Sequence, residues 1–194
     1  MIFAKKNIKS FMPMGSYSVL REEIKAGRFV RDISIFEKEI IYKIRIMSTS
    51  ELAQIADVSE GLENKIKSAA SSCNTFDELI EAIKSKRYTM TRIYRILLYI
   101  LLDITKKDIV NSYKAIPYIR VLGMNSKGKK LISEMSKSSR IQIITSVKQF
   151  MDKNNNKNLQ TMLNKDILAS DIYSLGFKNS SKANLDYTEK LITI

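Results

Sequence analysis

The sequence has no histidine, no tryptophan, one cysteine and six glycines among 194 residues. Without histidine, the chain lacks the commonest general base and metal ligand of proteins. A lone cysteine, Cys73, excludes an intramolecular disulfide and a cysteine metal cluster. No Walker-type loop or Gly-x-Gly-x-x-Gly run occurs that could cradle a phosphate. We therefore expect no catalytic residue, no metal site and no cofactor in this chain.

Long apolar runs are also missing. The run from Ile96 to Leu102 has only seven residues before Asp103 closes it, which is too short to span a membrane. The first residues, Met1 to Lys6, lack the long apolar region and the cleavage site of a signal peptide. These features predict a cytoplasmic location and no membrane partner.

Positive charge is abundant and unevenly distributed. The chain carries a formal net charge of +13, yet residues 1–83 contain 12 basic and 12 acidic residues. Residues 84–153 contain 16 basic and 4 acidic residues, a net charge of +12. Concentration of nearly all the excess charge in one segment is typical of a surface that binds a phosphate backbone.

The basic segment begins with a helix, predicted over residues 89–103, that has two distinct faces. A buried stripe with helical spacing comprises Ile93, Ile96, Leu97, Ile100, Leu101 and Ile104. A second side carries Tyr88, Arg92, Arg95 and Tyr99. Alternating guanidinium and phenol groups suit a polyanion with exposed bases, which favours RNA. The alternative is a solvated surface whose tyrosines pack on a neighbouring element.

Four helix starts share the spacing of a capping box, in which a capping residue lies three positions before a glutamate. They are Ser34/Glu37, Ser48/Glu51, Asp57/Glu60 and Thr75/Glu78. The helices that follow predict a compact bundle. Near residues 118–145, a strand, a helix and a second strand predict a small parallel crossover unit. The fold class is therefore expected to be mainly α (α+β).

Three stretches carry a family resemblance: residues 57–64 (DVSEGLEN), residues 84–93 (KSKRYTMTRI) and residues 118–123 (YIRVLG). In this order they resemble the C-terminal part of bacterial tRNA(Met) cytidine acetate ligase. Residues 171–175 (DIYSL) and 186–188 (DYT) are similar to the C-terminal end of that family.

The resemblance implies an enzyme that forms acetyl-adenylate from ATP and acetate and then acetylates the wobble cytidine of elongator methionine tRNA. It places the ATP site in a nucleotidyltransferase-like N-terminal domain with a histidine-containing motif. That motif is absent, so we expect a chain that lacks this domain and is inactive alone. Residues 1–30 would be the junction to the upstream domain, which would be a partner. Residues 31–194 would be a helical tRNA-binding domain.

The resemblance and the charge pattern together predict a tRNA-binding surface. Its candidate residues are Lys84, Lys86, Arg87, Tyr88, Arg92, Arg95, Arg120, Lys127, Lys129 and Lys130. Tyr88 is the preferred residue for stacking on a base, and Tyr99 is a weaker candidate. Arg120 could instead bridge neighbouring elements, and the three later lysines could be a solvated helix start.

Two other functions remain open at the level of sequence. The chain could be a helical interaction module whose basic face binds an acidic protein or an anionic membrane surface. It could also be a self-contained enzyme with an unrecognised site.

Overall fold

The computed structural model describes residues 8–115, 117–179 and 182–194, so the first seven residues of the predicted junction lie outside the described residues. The described chain is mostly helical with a few short parallel strands, which confirms the expected mainly helical class. The α-helices of its first half are α1 (Met14–Lys25), α2 (Glu37–Ile46), α3 (Thr49–Gln54), α4 (Leu62–Ser72), α5 (Phe76–Ile83) and α6 (Met90–Leu101). Those of its second half are α7 (Lys106–Lys114), α8 (Ser126–Ser138), α9 (Val147–Lys153), α10 (Lys157–Leu175) and α11 (Leu185–Thr188).

Four short strands and two 3-10 helices complete the described chain. The strands are β1 (Tyr118–Arg120), β2 (Gly123–Met124), β3 (Gln142–Ile144) and β4 (Ile192–Thr193). The 3-10 helices are Ile8–Phe11 and Ile33–Phe36. None of the helices in these described ranges is long and apolar enough to cross a lipid bilayer.

The main hydrophobic core is built from α2 to α6, and its buried members lie between Phe36 and Leu101. Helix α6 contributes the predicted stripe, with Ile93, Ile96, Leu97, Ile100 and Leu101 all buried. Ile104 is only partly buried, because α6 ends before it. Burial of this stripe against α2 and α5 sets the rotation of α6 about its axis. The rotation in turn decides which side chains of α6 reach solvent.

Two of the four predicted capping boxes form. Ser48 and Thr75 accept from the backbone N–H groups of Glu51 and Glu78, and both glutamates bond back to the cap residue. The Ser34/Glu37 box is wrong, since Asp32 caps the 3-10 helix there and Glu37 accepts from the Phe76 N–H at the start of α5. A third box, Thr105/Asp108, begins α7 and was not predicted.

The fourth predicted box, Asp57/Glu60, is also wrong. Both residues have a left-handed backbone, with φ of 64° and 62°, and Gly61 continues the loop at 80°. A capping residue normally adopts an extended backbone instead. Helix α4 therefore begins only at Leu62, and residues 57–61 form a loop. We call this segment the 57–61 loop.

The strand–helix–strand unit is present. β1 pairs with β3 in parallel, with Tyr118 opposite Gln142 and Arg120 opposite Ile144. The intervening α8 begins at Ser126, where the Asn125 side chain caps it. A second, smaller core lies beside this unit and contains Ile144, Val147, Leu163 and Ile167.

β2 pairs in parallel with β4 near the end of the chain. A Cβ atom at Gly123 would lie 3.2 Å from the Ile192 Cβ, so a larger residue at position 123 would crowd this pairing. The first strand of the unit, β1, thus ends at Arg120. It gives way to a separate two-residue strand that pairs with β4.

Removal of the Leu97 side chain tests the role of α6 in the core. Leu97 is fully buried, whereas its neighbour Leu98 is 40% exposed. We expect Leu97→Ala to lower the free energy of unfolding by about 2–5 kcal/mol, since it leaves a cavity in the core. Leu98→Ala is the matched control and should cost far less. Equal losses in chemical denaturation would contradict the assignment of the buried face.

Candidate nucleic-acid interface

A tight turn joins α5 to α6 and exposes two cations at its tip. The Tyr88 N–H donates to the Ser85 carbonyl at 3.2 Å, and the two residues form an isolated antiparallel bridge. Lys86 and Arg87 lie between them and are both exposed. Lys84 precedes the turn and pairs with Glu81 at 3.1 Å on the exposed surface. Exposed pairs of this kind are weak, so Lys84 is readily available to another anion.

Three arginines connect this region to the 57–61 loop. Arg92 donates to the Asp57 carbonyl and the Ser59 hydroxyl, both at 2.8 Å. Arg95 pairs with the Asp57 carboxylate, and Arg87 pairs with Glu60. Arg92 thus binds the backbone of Asp57 directly, which supports the left-handed conformation that departs from the predicted capping box.

The hydrogen bond that Arg95 donates to the Asp57 carboxylate raises the pKa of Arg95 above its ordinary value. Arg95 stays charged at any physiological pH in either case. Its side chain is half exposed, so the guanidinium is held in position by one carboxylate while it remains accessible from solvent.

Tyr88 is buried, which differs from its predicted role. Its side chain is 7% exposed and belongs to the main core, and the Arg92 guanidinium carbon lies 5.2 Å from its ring centroid. A ring packed in the core cannot offer a face to a base without leaving its place. Tyr88 packs against the Arg92 guanidinium through a cation–π contact.

Arg120 is partly buried and forms an ion pair within the protein. It donates to the Asp186 carboxylate at 2.6 Å, and the two side chains are only 23% and 15% exposed. This hydrogen bond raises the pKa of Arg120. The bridging alternative considered for a strand arginine is therefore what the structure contains, and Arg120 does not join the exposed cations.

Lys127, Lys129 and Lys130 lie in the first turns of α8, and all three are exposed. The Asn125 side chain starts this helix by accepting from the Gly128 N–H at 2.8 Å. The structure therefore places the ten candidate residues in three groups. The first two groups are the α5–α6 turn with the start of α6, where Arg92 is partly buried, and the exposed start of α8. The third group is Tyr88, which is buried, and Arg120, which is partly buried and paired with Asp186.

The residues missed from sequence are the two carboxylates of the 57–61 loop. Asp57 and Glu60 have the sequence spacing of a helix start. In the structure they instead pair with Arg95 and Arg87, which lie far from them in the chain. No local signal distinguishes the two arrangements. In the described ranges, no group of histidine, cysteine, aspartate and glutamate side chains could hold a metal ion.

Comparison with known proteins identifies the family. The model described as HIGH Nucleotidyl Transferase matches residues 2–188. The chain belongs to this family. Two relatives are each named tRNA(Met) cytidine acetate ligase. The protein from Thermoanaerobacter sp. (strain X514) is 40% identical over 195 residues, which is 100% of this chain and 47% of the relative. The protein from Acetivibrio thermocellus is 40% identical over 185 residues, or 93% and 44%.

Solved structures show the same fold. A crystal structure of Thermotoga maritima TmcAL bound with alpha-thio ATP has a TM-score of 0.86 and 24% identity, covering 94% of this chain and 47% of that chain. An apo form of the same protein has a TM-score of 0.85. The chain thus spans about half the length of the curated relatives and structures it matches.

The family match corrects one expectation. The prediction of a C-terminal part without the nucleotidyltransferase is wrong, because the nucleotidyl transferase model matches the chain from residue 2 onward. The match includes almost all of residues 1–30, which were expected to be a junction to a missing domain. Because the predicted inactivity rested on that missing domain, it loses its basis. The sequence still contains no histidine, so the match does not depend on a histidine motif within it.

Arg120→Ala tests whether this arginine is structural. We expect a loss of about 1–3 kcal/mol in the free energy of unfolding, since Asp186 would keep a mostly buried charge without its partner. Arg140→Ala, which removes an exposed arginine, should change it by less than about 0.5 kcal/mol. Chemical denaturation measures both. A stable Arg120→Ala protein with weakened RNA binding would instead assign Arg120 to the interface.

Proposed function

We propose that the chain takes part in the ATP-dependent acetylation of a cytidine in methionine tRNA. ATP and acetate would be the small substrates, and elongator methionine tRNA the macromolecular one. Support comes from the relatives at 40% identity, which are named for this reaction, and from the Thermotoga maritima protein, whose crystal structure contains alpha-thio ATP. In this proposal the basic face of the chain contacts the tRNA.

The observation that carries the tRNA contact is the exposed turn between α5 and α6. Lys86 and Arg87 occupy its tip, within a 70-residue segment of net charge +12. Cations on a short, hydrogen-bonded turn reach phosphates with little loss of backbone entropy on binding. A phosphate can also displace the weak, exposed Glu60 from Arg87.

The other candidate residues divide by their accessibility. Arg92 and Arg95 are proposed to contact phosphates while they hold the 57–61 loop. Lys84 extends the turn, and Lys127, Lys129 and Lys130 are proposed as a second contact. Tyr88 and Arg120 remain outside this contact set, since Tyr88 is buried in the core and the partly buried Arg120 is paired with Asp186.

A double substitution at the tip of the turn tests the proposal. We expect Lys86→Ala/Arg87→Ala to weaken binding of methionine tRNA by about tenfold or more, because two phosphate contacts would be lost. The slope of log affinity against log salt should fall by about one for each lost contact. Titration of labelled tRNA at several salt concentrations measures both quantities.

The matched control is Arg31→Ala/Lys38→Ala, which removes the same charge from exposed residues beside α2. If both double variants weaken tRNA binding equally, the loss reflects net charge alone. That result would overturn the assignment of the α5–α6 turn as a tRNA contact. Binding to anionic lipid vesicles or to an acidic protein, without binding to tRNA, would favour the alternative interaction module.

A further inference from the structure

A groove between α6 and α7 combines cations with two tyrosine rings. Its volume is about 430 Å³, and its lining includes Arg95 and Tyr99 from α6 together with Lys106, Ile109 and Tyr113 from α7. Ala56 and Asp57 form its floor. A volume of this size is within the range of small-molecule sites. The groove is therefore large enough for one nucleotide.

Helical spacing brings these residues together on two facing surfaces. Arg95 and Tyr99 are four positions apart on α6, and Lys106, Ile109 and Tyr113 follow the i, i+3, i+7 pattern on α7. Each helix thus contributes a cation at one level and a phenol ring further along. Positive charge and aromatic rings arranged side by side are what unpaired nucleotides require for binding.

The floor of the groove is tied to both helices. The Ala56 N–H donates to the Ile104 carbonyl at 3.0 Å, and Ile55 forms an antiparallel bridge with Thr105. The Asp57 carboxylate holds Arg95, and the Thr105/Asp108 capping box starts α7. The cations are thus placed by contacts that exist before any ligand arrives, which reduces the entropy lost on binding.

The two tyrosines differ in accessibility. Tyr113 is 84% exposed, whereas Tyr99 is partly buried and packs against the main core. An aromatic ring exposed to this extent, at the edge of a cationic groove, offers a face on which a base can stack. Tyr99 forms the fixed wall. Tyr113 thus has the accessible ring face that the buried Tyr88 lacks.

We propose that this groove binds one unpaired nucleotide of the RNA, with its base stacked on Tyr113 and its phosphate between Arg95 and Lys106. The inference rests on the proposed tRNA contact and deepens it, because it separates a single-stranded site from the backbone contacts of the α5–α6 turn. A duplex would not reach Tyr113 with its bases, since they remain paired and stacked on each other.

Two RNAs distinguish these contacts: the anticodon stem-loop of methionine tRNA and a blunt duplex with the sequence of its stem. We expect Tyr113→Ala to weaken binding of the stem-loop by about fivefold or more and to leave duplex binding unchanged. Tyr113→Phe should retain stem-loop affinity, because the ring face remains. Tyr42→Ala is the matched control, as Tyr42 is 65% exposed on α2.

The phosphate contact is tested by Lys106→Ala against Lys107→Ala, its exposed neighbour outside the groove lining. Only Lys106→Ala should lower the slope of log affinity against log salt for the stem-loop, and it should do so by about one. Thermal unfolding checks that every variant is folded.

Several results would overturn the proposal that this groove binds an unpaired nucleotide. These are unchanged stem-loop affinity in Tyr113→Ala, an equal loss in Tyr42→Ala, an equal loss on the duplex, or a loss in Tyr113→Phe as large as in Tyr113→Ala. For the phosphate contact, the contrary result is an equal change in Lys106→Ala and Lys107→Ala. Failure of the wider tRNA proposal is a separate result, in which Lys86→Ala/Arg87→Ala binds both RNAs as tightly as the original protein.

Discussion

Burial of one face of α6 is the constraint on which the rest of the structure depends. Its isoleucines and leucines fill the centre of the main core, so the helix cannot rotate without exposing them. Arg92 and Arg95 are consequently directed toward the 57–61 loop, and Tyr99 toward the groove beside α7. The position of the basic surface therefore follows from apolar packing, and the charges themselves add little to the stability of the fold.

The arginine contacts explain why the 57–61 loop can retain its unusual backbone. Left-handed conformations at Asp57 and Glu60 are unfavourable for residues with side chains, and each needs support from its surroundings. Arg92 supplies it at Asp57 through the Asp57 carbonyl and the Ser59 hydroxyl, and Arg87 pairs with Glu60. The loop and the start of α6 thus form one structural unit, although they are separate in sequence. These are two of the stretches that carried the family resemblance.

The sequence predicted the features that depend on local pattern. The apolar stripe of α6 and the Ser48 and Thr75 capping boxes each depend on residues close together in the chain, and the parallel crossover unit on two strands and the helix between them. Apart from the local Thr105/Asp108 box, the features that were missed are set by distant partners. Glu37 binds the start of α5, Asp57 binds Arg95, and β2 pairs with β4. Among the predicted site residues, exposure of Lys86 and Arg87 agrees with the expectation, whereas burial of Tyr88 depends on the turn that precedes α6.

The distribution of the two cores along the chain has a consequence for folding during synthesis. All buried members of the main core lie between Phe36 and Leu101, so this part can become compact while later residues are still being added. The smaller core needs residues as distant as Ile144 and Ile167, and β2 finds its partner only when Ile192 has been made. Until then, the backbone edge of β2 is unpaired. The main core can therefore form during synthesis before β2 and β4 can pair.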